Sequence, residues 1–236
     1  MREINVSEIT KAVSEMCIEV NHRLSDDMVN MLNQAADKEE SATGKQVLSK
    51  LQKNLEIASE EMIPICQDTG MAVVFLEIGQ DVHFTGGDLT DAVNDGVRKG
   101  YTEGYLRKSV VSDPIISENT KDNTPAVIHE KIVSGSEVKI TLAPKGFGSE
   151  NMSKLYMLKP AQGIEGVKKA ILKTISDAGP NACPPMVVGV GIGGDFEKSA
   201  VMAKEALTRK AGVHSEISWV KELEEKMRHL SLLLQL

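Results

Sequence analysis

An α+β chain, with a helical N-terminal segment followed by a mixed sheet with packed helices, follows from three features of this 236-residue sequence. Apolar residues recur at three- and four-residue spacing through residues 6–59, the period of helices with one buried stripe. After Pro64 the texture changes to short runs rich in β-branched residues, punctuated by glycine turns. Regular βαβ repetition is missing, so strands and helices share a mixed rather than a doubly wound arrangement.

Each element has its own signal. In 6–21, Ile9, Val13, Met16, Cys17 and Val20 form one stripe. Ser25-Asp26-Asp27 caps a second helix that buries Met28, Met31, Leu32 and Ala35. A third covers 44–59 with Val47, Leu48, Leu51 and Leu55 inward. Residues 71–78 predict an apolar strand, Thr85-Gly86-Gly87-Asp88 a turn, and 89–106 a helix weakened by Gly96, Gly100 and Gly104. Residues 109–125, polar and interrupted by two prolines, predict a long loop. Residues 126–133 and 138–143 predict a pair of strands separated by Ser134-Gly135-Ser136, with Val138, Ile140 and Leu142 alternating with Lys139 and Thr141. A glycine turn from Pro144 to Ser149 leads into a helix, and 161–178 form another. Residues 186–192 predict a short buried strand and 196–208 a helix. Over 216–236, Ile217, Val220, Leu223, Met227, Leu230 and Leu234 keep helical spacing.

Composition narrows the function. A net charge of −7, from 34 acidic and 27 basic residues, argues against a general nucleic-acid binder. No apolar run reaches membrane-spanning length, and the N-terminus carries no signal-peptide pattern, so the expected location is cytoplasmic. Aromatic residues are 3% of the chain and the 11 methionines fill part of their packing role. Three cysteines in such a chain are not a disulfide framework.

The cysteines differ in setting. Cys17 lies on the apolar stripe of the first helix and reads as core filler. Cys66, in Ile65-Cys66-Gln67-Asp68-Thr69-Gly70, sits on a loop bounded by Pro64 and Gly70. Backbone N–H groups in such a loop can converge on a sulfur, so the thiol is either functional or structural. Cys183 lies in Gly179-Pro180-Asn181-Ala182-Cys183-Pro184-Pro185, and proline after cysteine is common beside iron–sulfur ligands. Closely spaced CxxC pairs are absent, which argues against zinc. A cysteine–histidine pair using His83, His129 or His214 as base is a competing reading without support from local context.

Two glycine-rich segments remain. Lys145-Gly146-Phe147-Gly148-Ser149-Glu150-Asn151 could turn its N–H groups towards a carboxylate, or be a plain β–α turn. Gly189, Gly191 and Gly194 match G-x-G-x-x-G, with Glu216 downstream, as in a nicotinamide-dependent oxidoreductase. No surrounding βαβ unit supports a dinucleotide, and a tight turn is the better reading. Arg107, in Tyr105-Leu106-Arg107-Lys108-Ser109, could grip a carboxylate through two parallel hydrogen bonds, or be a surface charge.

Taken in order, the Cys66, Arg107 and Gly146 segments and Cys183-Pro184-Pro185 with the Gly189–Gly194 run resemble the α subunit (or N-terminal domain) of the class I, iron–sulfur fumarate hydratase and L(+)-tartrate dehydratase family. The resemblance covers roughly residues 5–210 and implies a [4Fe–4S] cluster held by three cysteines, with one iron left to bind substrate. It makes Cys66 and Cys183 two metal ligands and Asp68 a catalytic residue. Gln67, Asp68, Arg107 and the backbone at Gly146 and Gly148 would bind substrate. The substrate would be a small dicarboxylate, fumarate or malate ahead of tartrate. The proton-abstracting residue would lie on a β subunit, giving a hetero-oligomer or a homodimer.

The family's third cluster cysteine has no counterpart in residues 1–236, so a C-terminally truncated α-type chain is expected, or one that binds its partner without a cluster. One hydro-lyase domain is expected over 1–236: a helical opening (1–60), a mixed α/β core (61–210) and an atypical C-terminal helix (211–236) whose leucine-rich end leaves apolar surface exposed.

Overall fold

The computed structural model describes residues 1–183 and 185–233, with side chains through residue 227. Pro184, the Leu230 side chain and the expected apolar ending at Leu234 and beyond lie outside the described residues. The chain forms two compact units, Met1–Phe147 and Gly148 onward. Helix predominates over strand, and the class is α+β as expected.

The first unit contains β1 (Arg2–Asn5), α1 (Val6–His22), α2 (Asp26–Lys38), α3 (Ala42–Glu61), β2 (Met71–Gly79), β3 (Val82–Thr85), α4 (Leu89–Glu103), β4 (Val127–Val133) and β5 (Val138–Lys145). The helical opening therefore begins with a strand. β1 pairs in parallel with β3, Arg2 opposite Val82 and Asn5 opposite Thr85, and buries Ile4. Four residues are too short for a periodic signal, and their partner lies far along the chain. Asn5 then caps α1 by accepting the Ser7 N–H. On α2 and α3 the stripes are only partly used: Leu32 and Leu48 are buried, while Ala35 and Val47 are exposed.

The main sheet has the order β4-β2-β5. The two strands around Ser134-Gly135-Ser136 do not pair with each other. β4 runs parallel to one edge of β2 and β5 antiparallel to the other. The link passes over the end of β2, where Gly79 N–H donates to Glu137 and Asp81 N–H to Gly135. A Cβ at Gly79 would lie 2.4 Å from the Gly135 carbonyl oxygen, so the crossing needs glycine there. β2, the most apolar run, gains hydrogen bonds on both edges by lying in the middle.

Ala72, Val74, Leu76 and Ile78, alternate residues of β2, join the core with Ile9, Val13 and Cys17 of α1 and Val93, Val97 and Tyr101 of α4. The glycines that weaken a sequence-based helix assignment serve this packing. A Cβ on Gly96 would meet the Val13 Cβ at 2.7 Å, and one on Gly100 the Cys17 Cβ at 2.7 Å. The two helices thus touch nearly backbone to backbone.

The second unit contains α5 (Phe147–Glu150, which begins at the last residue of the first unit), α6 (Gly163–Ala178), α7 (Phe196–Ala206) and α8 (Ser218–Leu233). The helix expected after Ser149 is a single turn. Residues 186–192 form no strand, and Val187, Val188, Val190 and Ile192 are exposed. A strand needs a ladder partner, and none pairs with this segment among the described residues. It runs instead along α7, so close that a Cβ on Gly191 would lie 2.1 Å from the Ser199 carbonyl oxygen. Leu223 and Met227 of α8 are buried, whereas Ile217 just before it is exposed. No helix is long and apolar enough to cross a membrane among the described residues.

Gly96→Ala and Gly100→Ala are each expected to destabilise the chain. The clash should outweigh the ~1 kcal/mol that alanine gains in helix propensity, for a net loss on the order of 1–2 kcal/mol. Urea unfolding checks this as a lower midpoint with an unchanged slope. Val47→Ala, on the exposed side of α3, should change stability by less than about 0.5 kcal/mol.

Candidate active site

The loop from α3 to β2 carries Cys66, Gln67 and Asp68, and its course is pinned before it reaches them. Met62 closes α3 in the left-handed conformation. Ile65 N–H then donates to Asn21 at the end of α1 (2.8 Å), and Asn54 of α3 donates to the Ile65 carbonyl (2.9 Å). Cys66 is exposed, and its Sγ accepts the Asp68 N–H at 3.4 Å. Such an N–H donor favours the thiolate, the form of cysteine that ligates metal or attacks as a nucleophile. The thiol itself faces the Gln67 side-chain oxygen at 3.6 Å.

Asp68 ties two loops together. Its Oδ1 accepts the Gly70 N–H (3.1 Å) and its Oδ2 the Phe147 N–H (2.9 Å). The glycine turn expected to offer N–H groups to a ligand therefore gives that of Phe147 to Asp68, and a helix of one turn adds little dipole. Gly70, at φ +66°, passes so close to this turn that a Cβ would lie 2.4 Å from the Lys145 carbonyl oxygen. Gly146 follows immediately on the same turn.

Arg107 enters from the other side. After α4, Tyr105 turns the chain in the left-handed conformation and Leu106 N–H donates to the Tyr101 carbonyl. Thr69, buried, then clasps the Arg107 backbone. Its Oγ1 accepts the Arg107 N–H (2.9 Å) and donates to the Arg107 carbonyl (3.2 Å). Tyr101 Oη donates to the carbonyls of Thr69 (2.9 Å) and Gly70 (3.2 Å). Asn123, fully buried, accepts the N–H groups of Ser109 and Val110 through Oδ1 and donates to the Gly70 carbonyl through Nδ2 (3.1 Å). The Arg107 side chain is exposed, and its guanidinium has no hydrogen-bond or ion-pair partner among the described residues.

The long loop 109–125 is present as expected and folds back on itself through a bridge between Val111 and Asn119. Its end is anchored by Asp122, which binds Arg98 (2.9 Å) and the N–H and hydroxyl of Thr124. Burial opposes the Asp122 charge, but these donors overcome it and bring the carboxyl down to about 2. Thr69, Tyr101 and Asn123 were not singled out in the sequence. The run Asp122-Asn123-Thr124-Pro125 was the one available signal, and it reads as an ordinary turn.

Thus Cys66, Gln67, Asp68, Arg107 and Gly146 all lie on loops of the first unit that share one hydrogen-bonded frame. Gly148 and Cys183 belong to the second unit. There a Cβ on Gly148 would approach the Asn181 carbonyl oxygen at 3.3 Å, on the turn that ends in Cys183. Cys183 is exposed and adopts the left-handed conformation (φ 55°), a strained position for a non-glycine residue and a recurrent trait of functional sites. The histidines have other roles: His129 stacks on Phe75, His214 pairs with Glu224, and His83 is exposed. Gly193 and Gly194 form a left-handed turn into α7, which Asp195 caps, as a tight turn requires.

Two exposed loop thiols suit an iron–sulfur group. Cys17 does not, because it is fully buried between α1 and α4 and burial pushes its thiol up to about 12. Among the described residues no three potential metal ligands come together. Among the described residues, Cys66 and Cys183 are the exposed thiols and Cys17 the buried one.

Iodoacetamide is expected to label Cys66 and Cys183 in the native, metal-free chain, and Cys17 only in denaturant, as read by peptide mass spectrometry. Asp122 is harder to protonate folded than unfolded. The stability it contributes is therefore whole above its ordinary value of 3.8 and is lost as pH falls through about 2. Asp122→Asn should flatten the fall of the melting temperature over that acid range.

The family model for fumarate hydratase (Fumerase) matches residues 10–232. A putative L(+)-tartrate dehydratase subunit alpha of Methanocaldococcus jannaschii is 40% identical over 226 residues, 93% of this chain and 79% of that protein. The L(+)-tartrate dehydratase alpha subunits of Escherichia coli and Shigella sonnei are each 30% identical over 225 residues, 94% of this chain and 74% of theirs. With a match across nearly its whole length, the chain belongs to the fumarate hydratase (Fumerase) family and is a hydro-lyase chain.

Proposed function

We propose that this chain is the α subunit of an iron–sulfur hydro-lyase that reversibly hydrates fumarate to malate, working with a β subunit in the cytoplasm. The observation that carries the reading is the frame in which Thr69 holds Arg107. Arg107, whose exposed and unpartnered guanidinium suits a carboxylate, has its backbone bonded to the loop of an exposed cysteine. Cys66 and Cys183 are the proposed ligands of a [4Fe–4S] cluster, and the family pattern, rather than any distance between them, carries Cys183. Bound there, the cluster would supply a Lewis acid for the substrate hydroxyl.

The remaining roles belong to this chain's own side chains. Arg107 binds one carboxylate of the diacid. Gln67 offers an amide beside Cys66. Asp68 keeps acceptor capacity on each oxygen after taking one backbone N–H apiece, and is the proposed catalytic residue that contacts substrate or water, while the proton-abstracting residue lies on the β subunit. The backbone at Gly146 and Gly148 lines the substrate pocket in this reading. The names of the relatives favour a second reading, L(+)-tartrate as the diacid, with the same residues in the same roles.

Anaerobic reconstitution with iron and sulfide, together with the β subunit, should yield cluster absorbance and hydration of fumarate. Turnover of tartrate alone selects the second reading. A cluster-bearing complex that turns over neither diacid refutes both. An iron-free complex with the β subunit would instead mark the chain as a binding partner without its own chemistry. Arg107→Ala should raise KM for the diacid on the order of a hundredfold.

A further inference from the structure

We infer that Thr69 is the positioning residue that fixes the stretch of backbone from which the Arg107 side chain extends to substrate; this rests on the functional reading above. Thr69 lies three residues after Cys66 in the same loop, and its side chain is directed away from solvent. A hydroxyl is the smallest group that both accepts and donates, and here it uses both capacities on one residue, the Arg107 N–H and carbonyl. These bonds do for Arg107 what a strand partner would do. They hold the backbone of one residue in place in a loop where no strand continues.

The clasp is itself held. Tyr101 Oη fixes the Thr69 and Gly70 carbonyls from the α4 side, and the Asn123 amide fixes the Gly70 carbonyl and the N–H groups of Ser109 and Val110. All three side chains are buried. The backbones on either side of the clasp are therefore immobilised, and Thr69 is the direct link between them. Ser109 Oγ, two residues after Arg107, is buried and has no hydrogen-bond partner among the described residues. The segment thus holds its conformation through the main chain, without help from that hydroxyl. Thr69 itself touches only the Arg107 backbone in this link, so its effect on substrate runs through the guanidinium.

Removing the hydroxyl while keeping the volume tests the idea. In the reconstituted complex with the β subunit, Thr69→Val should raise KM for the diacid roughly tenfold or more, with a smaller change in kcat and with iron content equal to wild type. Thr69→Ser, which keeps both bonds, should restore KM. In an Arg107→Ala background Thr69→Val should cost nothing further, because both substitutions remove the same contact. In the isolated chain Thr69→Val should speed hydrogen exchange at the Arg107 amide. If Thr69→Val does not fold, Thr69→Ala removes the same bonds without adding bulk in a tight site. Wild-type turnover with an unchanged KM in the folded variant would overturn the proposal alone. So would an equal, additive KM penalty in the Arg107→Ala background, or failure of Thr69→Ser to rescue. A wild-type complex that turns over neither fumarate nor tartrate would overturn the functional reading and this proposal with it.

Discussion

Gly70 has no room for a side chain, and the first unit is arranged around that fact. Its missing Cβ lets the loop from Cys66 press against the Lys145 carbonyl before β2 begins. Its N–H is held by Asp68, and its carbonyl accepts from both Tyr101 and Asn123. One residue thus receives contacts from α4, from the long loop and from the end of β5. An alanine there would face a backbone clash and an unfavourable φ together, and neither neighbour is a flexible side chain that could move aside. The positions of Cys66, Arg107 and Gly146 all refer back to this point.

A buried polar frame of this kind needs every member satisfied. Tyr101, Thr69 and Asn123 lie out of water, where an unpaired donor or acceptor would cost about 1–3 kcal/mol. Their hydrogen bonds run almost wholly to main-chain groups, so they fix the path of the backbone and leave the side chains of Cys66, Gln67 and Arg107 at the surface. The division of labour is physical. Cys66, Gln67 and Arg107 stay exposed, and the side chains that hold the backbone are dry and hydrogen-bonded. Below this frame the apolar contact of α1, α4 and β2 supplies the rigid base.

Much of this was legible in the sequence, and the gaps have identifiable causes. Helices α1, α3 and α6 and strand β2 announce themselves by period and by the residues at their ends. Cys66, Arg107 and the glycine turn each left a structural reading open and stood out only together, through the order of motifs that resembles the family. Strand order was not legible, since 134–136 looks like a hairpin link and only the packing of β2 between two partners shows otherwise. β1 was missed because its partner is β3. Residues 186–192 carry a strand pattern with no strand to pair with among the described residues, so hydrophobicity alone misled. Thr69 and Asn123 were invisible for a simpler reason: a buried threonine or asparagine acquires its role from the groups it meets in space, and nothing in the neighbouring sequence announces them.

The pairing of β1 with β3 also has a consequence in time. A chain made from its N-terminus presents residues 2–5 long before residues 82–85 exist. Helix α1 faces the same delay, since its glycine-lined contact surface belongs to α4. Three helices and the Cys66 loop therefore emerge from the ribosome ahead of the elements that bury Val13 and Cys17. Local contacts can form at once, but the distant ones must wait. During that interval the α4 surface that covers Cys17 in the folded chain has not yet been made. The order of synthesis therefore leaves Cys17 to be sealed only when α4 closes over α1.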